Sequence, residues 1–222
     1  EKDLSKSYNS MGRYNISVKA SFQPLERNRV AIKVEIDEGT LTRVSNITIN
    51  GLTKFTESDL LGIMDLKATN YLSWWEKDDR YSKTGLAADL EKIKSFYLDR
   101  GYLNFKITST DVSITPNKKK LTITIDVDEG DKYTFSDVSL SGNIEEFSDE
   151  DLKSLISFKR NDVFSSKKVN STTDSISKYL GNFGYAFANI NPISKIDDKN
   201  KKVSYDFFID TGNKIYVRNI NF

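Results

Sequence analysis

The sequence of 222 residues predicts an α+β fold made of tandem modules, each in the order strand, helix, helix, strand, strand. Three observations predict this order. A tripeptide of the form Asp-x-Gly recurs about every 80 to 90 residues, as Asp37-Glu38-Gly39, Asp128-Glu129-Gly130 and Asp210-Thr211-Gly212. Apolar residues with helical spacing follow the first two copies. Strictly alternating apolar residues then lead into the next copy, as in a half-buried strand.

Each module is predicted to open with a strand and a short helix. The strands end at Gly51 and at Gly142. The helices are predicted from TESDLLGIM at 56–64 and SDEDLKSLI at 148–156, in which Thr56 and Ser148 stand three residues before an aspartate. This spacing is typical of a helix N-cap with acidic residues in the first turn. It also resembles a capping box, although Asp is shorter than the usual Glu or Gln.

A second helix is predicted in each module from residues with helical spacing. These residues are Leu86, Leu90, Ile93 and Tyr97 in one module, and Val169, Thr173, Ile176 and Leu180 in the next. Similar segments end the two helices, YLDRGY at 97–102 and YLGNFGY at 179–185, and YNSMGRY at 8–14 is nearly a third copy. Glycine is favoured just after a helix because the terminating residue often adopts a left-handed conformation. We therefore interpret the segment as a helix stop joined to a strand, predicted over Tyr102–Thr110 and Tyr185–Asn191.

The repeat divides the chain into four segments. Residues 1–38 are the C-terminal part of a module, 39–130 and 131–212 are complete modules, and 213–222 are the first strand of a further module. The chain is therefore expected to be an excerpt from a longer array. Each complete module is long enough to bury a core of its own and is expected to fold independently. Glycines at the joints, strand ends and helix ends are assigned structural roles: Gly39, Gly51, Gly101, Gly130, Gly142, Gly184 and Gly212.

Composition argues against several classes of function. The chain has 33 basic and 32 acidic residues and a net charge of +1, so it lacks the basic excess that nucleic-acid partners require, and no nucleic acid is expected. It contains no Cys and no His, which excludes serine–histidine triads, thiolate zinc sites and HExxH metal sites. No catalytic motif is found, so we expect neither an enzyme nor a metal or cofactor site.

The module order, the acidic-glycine joints and the Gly-Tyr after the second helix resemble the POTRA (polypeptide-transport-associated) family. The stretch YLSWWEKDDRYSKTGLAADLEKIKSFYLDRGYLNFKI at 71–107 is similar to the third module of the outer-membrane assembly branch of that family. The stretches VDEGDKYTFSDVSLSGN at 127–143 and GNKIYVRNINF at 212–222 are similar to its joints into the fourth and fifth modules. The resemblance implies modules that are each a three-stranded mixed sheet covered on one face by two helices. It also implies that the chain runs from the end of a second module to the start of a fifth.

The resemblance further implies a non-enzymatic scaffold at the periplasmic face of the outer membrane of a Gram-negative bacterium. The implied partners are unfolded outer-membrane protein precursors, assembly lipoproteins and a C-terminal membrane β-barrel outside this chain. Two other functions remain open. One is the periplasmic POTRA region of a two-partner secretion or related translocation pore, and the other is a surface stalk or adhesin built from repeats.

In this family, the strand after Gly-Tyr lies at one edge of the sheet and the last strand lies in the middle. An edge strand offers unpaired N–H and C=O groups to an extended peptide. The predicted partner-binding residues are therefore Tyr102, Leu103, Asn104, Phe105, Lys106, Ile107 and Thr108, the odd-numbered ones from Leu103 facing the helices. The alternative is that Lys106 protects the edge from pairing. In the next module the edge strand is expected to end at Pro192.

Four further features each allow a functional and a structural interpretation, and the structural one is favoured. Trp74-Trp75 is a docking patch or closes a loop over its own core. The lysines at 118–120 and at 199, 201 and 202 contact lipid headgroups or are solvated hairpin tips. DDKN at 197–200 resembles a calcium loop but lacks the central glycine and distal glutamate. The acids at 145–151 are paired catalytic carboxylates or are favoured by the helix dipole.

Overall fold

The computed structural model describes residues 2–27, 29–70, 73–76 and 78–216, without the side chains of 74 and 76. The chain divides into two compact units. The first contains Glu1–Lys94 and Lys106–Glu129, and the second contains Ser95–Phe105 and Gly130–Phe222. Within the described part of the chain, no helix combines the length and the apolar character needed to cross a membrane.

The first unit begins with helix α1 (Lys2–Ser10) and a hairpin of strands β1 (Ser17–Leu25) and β2 (Arg29–Asp37). The two strands pair antiparallel from Ser17 opposite Asp37 to Leu25 opposite Arg29. Apolar and polar residues alternate along β2, as a strand with one apolar face requires. Val30 and Ile32 on that face are exposed.

A three-stranded mixed sheet forms the centre of the first unit. Its strands are β3 (Arg43–Asn50), β4 (Lys106–Ile114) and β5 (Lys120–Asp128), in the order β3-β5-β4. β5 pairs parallel with β3 and antiparallel with β4. The helices are α2 (Glu57–Ile63), α3 (Ser73–Glu76) and α4 (Lys83–Leu98), whose last turn belongs to the second unit. The alternating residues of β5 are buried: Leu121, Ile123, Ile125 and Val127.

The second unit repeats this topology. β6 (Thr134–Gly142), β7 (Asn189–Asp197) and β8 (Lys202–Asp210) form a sheet in the order β6-β8-β7, with helices α5 (Asp149–Ser154) and α6 (Ser166–Asn182). Its core is rich in aromatic rings, and Phe135 stacks on Phe158 with 3.8 Å between ring centroids. The expected α+β fold, with mixed three-stranded sheets and the last strand of each in the middle, is thus confirmed.

Both edge strands begin four residues later than the sequence predicts, at Lys106 and not Tyr102, and at Asn189 and not Tyr185. The residues after Gly101 form a turn, because the Phe105 N–H donates to the Tyr102 carbonyl at 3.1 Å. The Phe105 ring also stacks on Tyr97, with 4.0 Å between centroids. These aromatic residues, which favour strands in isolation, are therefore used to close the helix end.

Candidate peptide-docking edge

The candidate site is the outer edge of β4. The strand order β3-β5-β4 leaves one side of β4 without a neighbouring strand among the described residues. The hairpin closes where the Thr115 N–H donates to the Lys120 carbonyl at 3.0 Å, so residue 115 bonds toward β5. Because successive residues of an antiparallel strand point their polar groups to opposite sides, Asp111 bonds inward and its neighbours bond outward. The outward residues are Thr110, Val112 and Ile114.

The outward residues also carry the less polar side chains of the edge. They lie opposite the buried residues of β5, with Val112 facing Ile123 and Ile114 facing Leu121. Ile114 is 36% exposed. The charged residues of β4 are Lys106, at its first position, and Asp111. A peptide that pairs with residues 110–114 would therefore meet free backbone hydrogen-bonding groups and apolar side chains. Lys106 lies at the other end of the strand.

A bulge near the start of β4 shifts its register between Ile107 and Ser109. The Thr108 hydroxyl donates to the Asp126 carbonyl at 3.0 Å, and the Ser109 hydroxyl donates to the Asp126 carboxylate at 2.5 Å. Asn50 donates to the same carboxylate at 2.8 Å. These bonds, from Ser109 first and Asn50 second, lower the pKa of Asp126. Asp126 thus connects all three strands on the face opposite the helices.

The predicted partner-binding residues separate into two groups. Lys106, Ile107 and Thr108 lie at the start of β4. Tyr102, Leu103, Asn104 and Phe105 precede the strand, so their assignment to an edge strand is wrong. Tyr102 and Phe105 are buried, and the Asn104 side chain donates to the Tyr133 hydroxyl at 2.8 Å. The expected exposure does hold for Asn104, Lys106 and Thr108.

The corresponding edge of the second unit is β7, which contains a proline that β4 lacks. Pro192 was expected to end the strand, but β7 continues past it to Asp197, and that prediction is wrong. Proline is tolerated within an edge strand because one side of the strand needs no ladder bond. It has no N–H to offer a partner, so β7 is a poorer docking row than β4.

The remaining features are mostly structural. Trp75 is 74% exposed, which does not match the closed-loop interpretation, and the Trp74 side chain lies outside the described residues. Lys201 is not a solvated tip, because it pairs with Asp131 at 2.8 Å and lies over the Tyr133 ring. The acids of α5 lie in its first turn, where the helix dipole favours them.

Sequence reasoning missed two carboxylates that hold loops together. Glu129, the middle residue of one Asp-Glu-Gly copy, is 4% exposed and accepts both the N–H and the hydroxyl of Thr53 at 2.6 Å. Asp99, from YLDRGY, accepts the Lys167 N–H at 2.7 Å and the Ser165 hydroxyl at 3.2 Å, at the start of α6. The repetition of Glu38 as Glu129 was a signal that could have indicated the role of Glu129. The partners of Asp99 lie too far along the chain to be inferred from the sequence.

Comparison with known proteins identifies the family of this chain. The family model described as POTRA, surface antigen variable number repeat, matches residues 42–130 and again 133–212. The chain therefore belongs to the POTRA family.

Two curated relatives of the chain carry the same name. The chain is 29% identical over 98% of its length to the outer membrane protein assembly factor BamA of Neisseria meningitidis serogroup B, and 30% identical over its full length to BamA of Buchnera aphidicola. It spans 27% and 36% of those two proteins. The crystal structure of Haemophilus influenzae BamA POTRA3-5 superposes with a TM-score of 0.67 at 27% identity, covering 80% of this chain and 69% of that one.

Proposed function

We propose that this chain is a periplasmic scaffold segment of an outer-membrane β-barrel assembly machine. In this proposal it receives unfolded outer-membrane protein precursors as extended strands added to β4. The observation that carries the proposal is the outward row of Thr110, Val112 and Ile114 on an edge strand without a strand neighbour among the described residues.

Backbone pairing suits this task because it reads the extended shape of a segment and not its sequence. A barrel precursor consists of segments with alternating apolar residues, so every second side chain of an added strand can rest beside Val112 and Ile114. The names of the relatives, which are outer-membrane assembly factors, support the same conclusion. The scaffold does no chemistry on its client. Assembly lipoproteins and a membrane β-barrel in the same protein complete the proposed machine at the outer membrane.

Hydrogen exchange tests the proposal directly. The probe is a synthetic peptide copied from one transmembrane strand of a bacterial outer-membrane barrel, added to the chain in excess. Amides of Thr110, Val112 and Ile114 are expected to exchange more slowly, because each gains an acceptor. Amides of Asp111 and Ser113 already bond within the sheet and should not change.

The control is the same peptide with proline at alternate positions, which removes the N–H groups that would bond to β4. It should give no protection. Equal protection by both peptides, or protection confined to other strands, would contradict strand addition at β4.

A further inference from the structure

A groove lies along the outer edge of β6, the edge strand opposite β7 in the sheet of the second unit. It has a volume of about 430 Å³ and runs between β6 and the segment that follows α5. Val138 and Leu140 of β6 line one wall, and Phe158 and Lys159 line the other. Val138 is 37% exposed, whereas Phe158 belongs to the buried core. The groove therefore has an apolar base beside a strand edge.

The backbone of β6 offers hydrogen bonds to this groove. The Asn143 N–H donates to the Ile209 carbonyl at 2.9 Å, so residue 143 bonds inward to β8. Since the polar groups of alternate residues point to opposite sides of a strand, Val138 and Leu140 direct theirs outward. The first half of the same edge is covered, because the Phe135 N–H donates to the Asp162 carbonyl at 2.8 Å. That cover stops where the register shifts between Phe135 and Val138.

The first unit shows the same edge in a closed form. Ile47 and Ile49 of β3, at the positions of Val138 and Leu140, are only 4% and 5% exposed. The Ile49 N–H donates to the Glu57 carboxylate at 2.8 Å. In the first unit, a carboxylate thus accepts the outward N–H of the strand, and this edge is closed to a partner.

The second unit lacks that carboxylate. Asp149 takes the place of Glu57 as the first residue of its helix, with a side chain one methylene shorter. It pairs with Lys153 at 3.3 Å, and the Leu140 N–H has no acceptor among the described residues. The Lys159 ammonium, also on the groove, makes no direct ion pair within the described part of the chain, although its charge acts on Asp162 from further away. The groove therefore combines a backbone N–H without an acceptor among the described residues, an apolar wall and a cation without a direct ion pair.

We propose that the outer edge of β6 binds an extended polypeptide segment with apolar residues at alternate positions and one glutamate side chain. The segment pairs with Val138 and Leu140, and its carboxylate takes the place that Glu57 fills in the first unit, beside Lys159. This inference rests on the proposed function in taking an extended polypeptide as partner. It adds a second binding edge, β6, which prefers a segment with a negative charge, whereas β4 has no such preference.

The test uses the whole chain and a short fluorescent peptide of alternating valine and threonine with one central glutamate, with binding followed by anisotropy. Replacing the peptide's glutamate by glutamine, or changing Lys159→Glu, should weaken binding by about tenfold or more, since each removes a charge-assisted contact. Asp149→Glu should weaken it similarly, because the added methylene lets this side chain reach the Leu140 N–H. Matched controls are Asp174→Glu and Lys178→Glu, exposed on α6 and away from the groove, which should bind like wild type.

A Thr110→Pro variant separates this inference from the proposed function. Peptide binding that survives Thr110→Pro but falls in Asp149→Glu supports the β6 site. Binding that is lost only in Thr110→Pro places the peptide on β4 and overturns the β6 proposal while leaving the proposed function standing. Unchanged affinity in both Asp149→Glu and Lys159→Glu also overturns it.

Discussion

Three glycines that end helices also join successive parts of the chain. Each has a positive φ, and the N–H of the next residue donates to the carbonyl five residues back in the helix, as in a Schellman motif. The carbonyl of each glycine accepts an N–H from a later segment, which for Gly12 and Gly101 leads into β3 and β6. The three pairs are Gly12 with Thr42, Gly101 with Tyr133 and Gly184 with Ile215, at 2.8 to 2.9 Å. The repeated Gly-Tyr segment is thus both a helix stop and a joint.

We expect Gly101→Ala to lower the free energy of unfolding by about 1 kcal/mol or more, since its φ is +101° and a Cβ would lie 2.9 Å from Val163 Cγ1. Gly62→Ala is the matched control, because Gly62 is helical and has nothing within 4 Å of the added atom. That variant should gain roughly 0.5–1 kcal/mol. Urea unfolding measures both. Equal effects in the two variants would show that the conformation at Gly101 carries no constraint.

Asp126 predicts how stability depends on pH. Its pKa is lowered in the folded state by the bonds from Ser109 and Asn50, whereas an unfolded aspartate titrates near pH 3.9. The stabilisation is therefore present above that value and is lost as the pH falls through the lower, folded pKa. In Asp126→Asn, the urea midpoint should fall less between pH 6 and pH 3 than in wild type. An identical fall in both proteins would mean that Asp126 does not contribute to acid sensitivity.

At the scale of elements, periodicity predicted which segments are helices and strands, whereas the central position of the last strand followed from the resemblance to the POTRA family. Periodicity placed the start of each edge strand four residues too early, because aromatic residues such as Tyr102 and Phe105 favour strands as well as the turn that they form here. It also chose Thr173 for the buried face of α6, where the structure buries Thr172. The Thr172 hydroxyl accepts the Ser157 N–H at 3.0 Å, a contact between distant residues that helical spacing cannot reveal. Local pattern thus fixes the elements, and tertiary hydrogen bonds fix their ends and faces.

Asp99 provides a test at this scale, because it accepts N–H and O–H groups at the start of α6. Asp99→Ala should destabilise the second unit by about 1 kcal/mol, as the loss of a helix-capping carboxylate typically does. Asp174→Ala, exposed within the same helix, should change stability much less. The comparison is made by urea unfolding at neutral pH. Equal stability of the two variants would mean that Asp99 does not stabilise the start of α6.

For the whole molecule, the compact units do not coincide with the sequence repeat. Residues 39–130 were expected to fold alone, yet Ser95–Phe105 belongs to the second unit. We still expect fragment 39–130 to melt cooperatively, because the sheet of the first unit lies within it. Its melting temperature should be lower than that of the same module in fragment 39–212, since the partners of Asp99 and Gly101 lie beyond residue 130. A fragment without a cooperative transition would contradict the boundary.

For the molecule as a whole, we propose that β4 receives extended polypeptide through its outward backbone groups. A pair of proline variants tests it, because proline removes one N–H donor. Thr110→Pro removes an outward donor and should leave the protein folded while abolishing binding of the barrel-strand peptide. Asp111→Pro removes a donor that bonds to β5, so it should instead lower the urea midpoint. If Thr110→Pro unfolds cooperatively near the wild-type midpoint and binds the peptide with wild-type affinity, β4 is not the docking edge.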